Sequence, residues 1–145
     1  MSTCREGPGL RRWLMLVAIA VVLGGAVWVG EAAAARRSAG AQLFDGGQPL
    51  VARIAGHEQA LPPQAWRCVN CHAGTQAIGG TLGRDRLVAA QARRGGPSSR
   101  YDLAAFCRLL RTGVDPAWIL IDRNMPRFEI DDRQCEQLWT HLTQA

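Results

Sequence analysis

A small all-α domain behind an N-terminal signal or anchor helix is the fold class that the sequence predicts. Three observations predict it. An uncharged apolar run lies near the N-terminus, capped amphipathic segments lie toward the C-terminus, and strand-like alternation is scarce between them.

The N-terminal run sets the organisation of the chain. Arg11 and Arg12 precede the apolar segment Trp13 to Gly30, and the small residues Ala32 to Ala35 follow. This is the order of a basic region, an apolar region and a peptidase-type small-residue site that exported chains carry. No polar face interrupts the run, which argues against a buried helix of a globular domain. The run is longer than a usual signal core and close to the lower limit for spanning a bilayer. Ala32-Ala33-Ala34 suits cleavage, whereas Arg36 and Arg37 oppose it, so a cleaved signal and an uncleaved tether through residues 13–30 both stay open. In either case residues 1–35 are the targeting segment and residues 36–145 form a domain outside the cytoplasm. The expected location is periplasmic or on the extracytoplasmic face of a bacterial inner membrane.

All 17 basic residues are arginine, and the formal net charge is +5. Beyond residue 35, 14 arginines face 10 carboxylates. They are scattered and not interleaved with aromatics, which excludes the basic stripe of a nucleic-acid binder.

Between the breakers Gly46-Gly47, Leu61-Pro62-Pro63, Gly79-Gly80 and Arg93-Arg94-Gly95-Gly96-Pro97, helices are expected over about 39–45, 50–56, 84–92, 101–112 and 131–143. The last is the clearest. Asp131 and Gln134 stand in a capping-box arrangement, Ile130 and Cys135 at staple positions, and Cys135, Leu138, Trp139 and Leu142 on one face. In the segment before it, Leu103, Phe106, Cys107 and Leu110 form a similar stripe that ends at Gly113.

Cys68-Val69-Asn70-Cys71-His72 carries the chemistry. Cys-x-x-Cys-His is the attachment motif of a c-type haem. Two thiols three positions apart reach the two vinyl groups on one porphyrin edge, and the next residue is placed beneath the iron. One covalently attached haem c is therefore expected, with Cys68 and Cys71 as thioether donors and His72 as the proximal ligand. A zinc site would need a fourth ligand from Cys107, Cys135, His57 or His141, none of which forms a second short-spaced pair. A thioredoxin-like pair would need a βαβ context that the pattern lacks.

Met125 is the expected distal ligand. It is the one methionine beyond residue 35 and is followed by Pro126 in the arginine-flanked loop Asp122 to Phe128. Proline after it holds the backbone out of a helix, which suits a stiff loop presenting a thioether better than a core filler. His57 and His141 are the alternatives, His141 being assigned to the surface of the last helix. Arg84, Arg86, Arg93, Arg94, Arg100 and Arg123 are the candidates for pairing the haem propionates. Cys107 and Cys135, one on each amphipathic stripe, are expected to join in a disulfide in an oxidising compartment.

The order of these parts resembles the class I c-type cytochrome family: Cys68-Val69-Asn70-Cys71-His72, then Met125-Pro126, then an aromatic-bearing last helix. The similarity covers roughly residues 38–145. It implies a cytochrome c-like helical domain around one haem, with the first and last helices crossing beside it. Two departures stand out. Residues 73–96 contain no proline to offer the carbonyl that often receives the ligand histidine's N–H, and the stretch Asp45 to Arg67 is too interrupted for a long first helix.

A His/Met pair leaves iron no open position, so the expected function is outer-sphere electron transfer without enzymatic turnover. The protein would serve as a periplasmic carrier or as the cytochrome subunit of a redox complex, with a dehydrogenase, oxidase or reductase as partner. The competing function is a haem sensor or catalyst with a labile sixth ligand.

Overall fold

Asp131 and Gln134 exchange hydrogen bonds at the head of the last helix. The Gln134 N–H donates to Asp131 Oδ1 at 2.7 Å, and the Asp131 N–H donates to Gln134 Oε1 at 3.1 Å. Two of the donors that a helix start leaves unpaired are thereby satisfied. The computed structural model describes residue 35 and residues 38–75 and 77–144. Within them α1 is residues 38–45, α2 Cys68–His72, α3 Arg84–Val88, α4 Leu103–Thr112 and α5 Asp132–Gln144.

The all-α expectation is wrong. The domain is mixed α/β, with two small antiparallel sheets among its short helices. Strand β1 (Val51–Arg53) pairs with β4 (Arg127–Glu129), setting Ala52 opposite Phe128, both buried. Strands β2 (Gln91–Ala92) and β3 (Ser98–Ser99) form the second pair. The helix expected over 50–56 is replaced by β1. Pro49 restricts the backbone just before it, Gly56 turns the chain at φ 83° just after it, and the remaining residues find their hydrogen bonds on β4. The helix expected over 84–92 stops at Val88 because Gln91 and Ala92 enter the hairpin. That hairpin closes with Arg94 (φ 48°) and Gly95 (φ 75°) both left-handed and a Gly96 N–H to Arg93 carbonyl bond of 2.8 Å, the turn whose twist matches paired strands.

The anchor or signal helix expected over residues 1–35, including the tether through 13–30, lies outside the described residues apart from Ala35. Among the described residues no helix is long and apolar enough to cross a membrane.

Helix α4 begins where Asp102 accepts the Ala105 N–H at 2.7 Å and ends on Gly113, whose φ of 77° lets its own N–H reach the Leu109 carbonyl. It buries Ala105, Phe106, Cys107, Leu109 and Leu110, while Leu103, expected on the apolar stripe, is left exposed at the first turn. Helix α5 packs on it and buries Cys135, Leu138 and Leu142, with Phe106 and Trp139 in tilted ring contact at 5.4 Å. Cys107 and Cys135 are joined by a disulfide across the two helices.

Helix α1 crosses α5 at Gly40. A Cβ there would fall 2.1 Å from the Gln137 carbonyl oxygen, so only glycine allows this approach. His141 lies at the same crossing, half-buried with its ring 5.9 Å from Phe44, rather than on the surface. Together with Leu43, Trp66, Leu87, Tyr101, Ile121 and Phe128 these helices close one hydrophobic core.

Candidate functional site

The end of α1 positions the cysteine motif. Gly46 turns the chain out of α1 at φ 78° and lies against the stem of Arg67, the residue before Cys68. Trp66 is buried and meets Phe128 of β4 edge to face, ring centres 6.3 Å apart at 84°. The segment entering the motif is thereby tied to the strand leaving the Met125 loop. From within the motif, Asn70 donates its side-chain N–H to the Gln64 carbonyl at 2.9 Å and braces the preceding loop.

Cys68, Cys71 and His72 share the single short helix α2. Both cysteines are free and half-buried. Burial pushes the Cys68 thiol up to about 11, with the neighbouring Cys71 and Asp45 adding to the rise against a backbone hydrogen bond. It is a neutral thiol at neutral pH.

The chain then loops back on His72. The Gly79 N–H donates to the Cys71 carbonyl at 2.9 Å, and His72 Nδ1 lies 2.7 Å from the Gly80 carbonyl oxygen. A carbonyl only accepts, so Nδ1 carries the proton of this bond. The acceptor facing the His72 ring, in a stretch that holds no proline, is a glycine carbonyl. Gly79 is pressed against the imidazole: a Cβ there would fall 2.5 Å from His72 Cε1 and 2.9 Å from Nδ1. In the sequence Gly79-Gly80 reads only as punctuation, and the close approach of backbone to ring gives it its purpose.

Met125 is half-buried and packs against the core cluster. Its N–H donates to the Asp122 carbonyl at 3.2 Å, while Asp122 Oδ1 accepts the Asn124 N–H at 2.8 Å. On the other side Arg127 donates to the Met125 carbonyl. Packing draws the Arg127 guanidinium partly out of water and lowers its pKa, an effect that Asp122 opposes.

Of the other candidates, His57 is exposed, beside a shallow cleft lined by Ile54, Gln59, Ala60 and Leu61. Of the six arginines considered for an acidic cofactor edge, three are spent on the fold. Arg84 donates to the Thr143 carbonyl, Arg93 to the carbonyls of Arg86, Ala89, Gln91 and Ser99, and Arg94 pairs with the fully buried Asp115. Arg86, Arg100 and Arg123 make no ion pair among the described residues, and Arg86 Nη2 lies beside Gly80, 3.3 Å from where a Cβ would sit.

The donor set fits a covalently attached haem. Two free thiols three positions apart are followed at once by an imidazole whose Nδ1 is engaged, and a braced loop carries a thioether. For a tetrahedral zinc site the set is short of ligands: Cys107 and Cys135 are paired with each other. Among the described residues no group of three or more His, Cys, Asp or Glu side chains is disposed to hold a metal ion. Compared with known proteins, the chain matches no family model, no curated protein and no solved structure.

Proposed function

We propose that this protein is a monohaem c-type cytochrome of the class I kind that transfers electrons outside the cytoplasm. On this reading Cys68 and Cys71 are thioether donors, and His72 and Met125 are the axial ligands. The observation that carries the reading is the bond between His72 Nδ1 and the Gly80 carbonyl, within a Cys-x-x-Cys-His turn whose thiols are both free. It fixes the tautomer and ring orientation that a proximal ligand needs.

The haem would supply one-electron chemistry between ferrous and ferric iron. The chain's own contribution is to anchor, orient and shield. Cys68 and Cys71 would hold the group covalently, Gly79 and Gly80 restrain rotation of His72, and Met125 would supply the second ligand that shuts out substrate. With both axial positions filled, an outer-sphere redox partner is favoured over oxygen or peroxide chemistry. That partner would be a dehydrogenase, oxidase or reductase, met in the periplasm or at the outer face of the inner membrane.

The test is expression in a bacterial host with active c-type cytochrome maturation, followed by a denaturing gel developed for haem peroxidase activity. A haem signal that migrates with the polypeptide and vanishes in the variant Cys68→Ala with Cys71→Ala is expected. No covalent haem in the exported wild-type protein would overturn the proposal. Carbon monoxide then separates carrier from sensor or catalyst. The reduced wild-type protein should bind it poorly at neutral pH, and rapid binding would favour an open-site haem.

A further inference from the structure

Arg127 does more than fill its place in β4. Its backbone pairs opposite Arg53, while its side chain runs beneath the end of α4 and donates to the carbonyl of Met125. A Cβ on Gly113 would fall 2.2 Å from both Cζ and Nε of Arg127, so the guanidinium occupies the space that a side chain there would need. Gly113 is itself fixed, because its left-handed backbone closes α4 and its carbonyl accepts the Ile121 N–H at 2.9 Å. The guanidinium is thus wedged between a rigid helix end and the Met125 loop. No carboxylate of the described residues forms an ion pair with it, which leaves the Met125 carbonyl as its hydrogen-bond partner.

The loop is held at three successive points. Asp122 organises the turn before Met125 through its side chain and its carbonyl, Pro126 restricts the backbone just after, and Arg127 holds the carbonyl of Met125 itself. A thioether is a weak, neutral ligand, so its bond to iron depends heavily on how little order must be imposed when it forms.

Resting on the electron-transfer reading, we propose that Arg127 is a positioning residue for Met125, and that its clamp on the Met125 carbonyl keeps the thioether bound to iron. Losing the clamp loosens the iron–sulfur bond and leaves the fold intact. The effect is larger in the ferric state, which binds thioether less well than the ferrous state does.

The experiment compares the full-length holoprotein of the wild type, Arg127→Gln, Arg127→Lys and Met125→Ala. Four readouts are followed: covalent haem by gel, the weak red absorption of methionine-ligated ferric haem, midpoint potential, and carbon monoxide binding to the reduced form. Arg127→Gln should retain covalent haem, lose most of the red band, bind carbon monoxide at least tenfold faster, and shift in potential toward Met125→Ala. Arg127→Lys, which keeps a donor and the charge, should fall between wild type and Arg127→Gln. A merely structural role would lower the unfolding temperature without moving the red band or the potential, and that result overturns the proposal. So does a red band that survives in Met125→Ala. Absence of covalent haem in the wild type is seen in the gel beforehand, and it overturns the electron-transfer reading itself.

Discussion

His72 Nδ1 lies 2.7 Å from the carbonyl oxygen of Gly80, and Gly79 packs its bare Cα against the same imidazole. Ring orientation is therefore set by backbone on two sides. Gly79→Ala should push the ring out of register with the Gly80 carbonyl. Overpacking of this kind costs about 1–3 kcal/mol. If the proposed haem is attached, the expected outcome is a lower yield of it per polypeptide and a fall of several degrees in the unfolding temperature, whereas Gly83→Ala, at an extended site with open space around it, should leave haem yield unchanged. Equal haem yields in Gly79→Ala and the wild type would contradict the orienting role.

The disulfide between Cys107 and Cys135 ties α4 to α5 and closes a loop with a sequence separation of 28. The chain-entropy account gives a loop of that size about 3–4 kcal/mol of stabilisation. Replacing both cysteines by alanine should lower the free energy of unfolding in denaturant by roughly that much. Thiol labelling of the denatured, unreduced wild type should find neither Cys107 nor Cys135 reactive.

Asp115 is fully buried where the chain leaves α4. Oδ1 accepts the N–H groups of Ala117 and Ile119, each at 2.9 Å, and Oδ2 meets Arg94 at 3.1 Å. Asp115→Ala removes the acceptor of two backbone donors at once and should cost about 2–4 kcal/mol, measured by denaturant unfolding. Arg94→Ala leaves Oδ1 on both backbone N–H groups and removes only a pair whose arginine is 43% exposed, so it should cost less than Asp115→Ala. The reverse order would show that the ion pair, and not the turn, is the stabilising element.

Tyr101 is buried under the Arg93 guanidinium, 5.0 Å from the ring centre, and burial raises its pKa above the ordinary 10.0 against the opposing effect of Arg94. The folded protein thus holds this proton at pH values where the unfolded chain releases it. Stability should be unaffected below about pH 10 and should fall as pH rises beyond it, since the unfolded state then binds fewer protons. Tyr101→Phe should flatten that alkaline decline in a series of unfolding temperatures, and an unchanged slope would assign it to other groups.

Much of the architecture was legible because its determinants are local. The Asp131–Gln134 capping box, the Gly113 stop and the buried faces of Cys107 and Cys135 each need only one or two turns of helix to be recognised. Strand β1 was not legible. Three residues carry no measurable period, and Val51–Arg53 becomes a strand only because Arg127–Glu129 lies beside it, more than seventy positions later. Leu103 was misplaced for a related reason: it has the right spacing for the apolar stripe, but it occupies the first turn, where no neighbouring element covers it. His141 erred the other way, because its burial comes from the approach of α1 at Gly40.

By itself the sequence determined the reactive groups and their order: two thiols and an imidazole within five residues, and a methionine held out of helix by proline. Only the tertiary structure decided what steadies them. The Gly80 carbonyl on His72, the Arg127 guanidinium on the Met125 carbonyl, and the contact of Trp66 with Phe128 all depend on chain returns that no local pattern announces. Covalent spacing is written along the chain, whereas the direction of a hydrogen bond across a loop is set by where packing brings the partner.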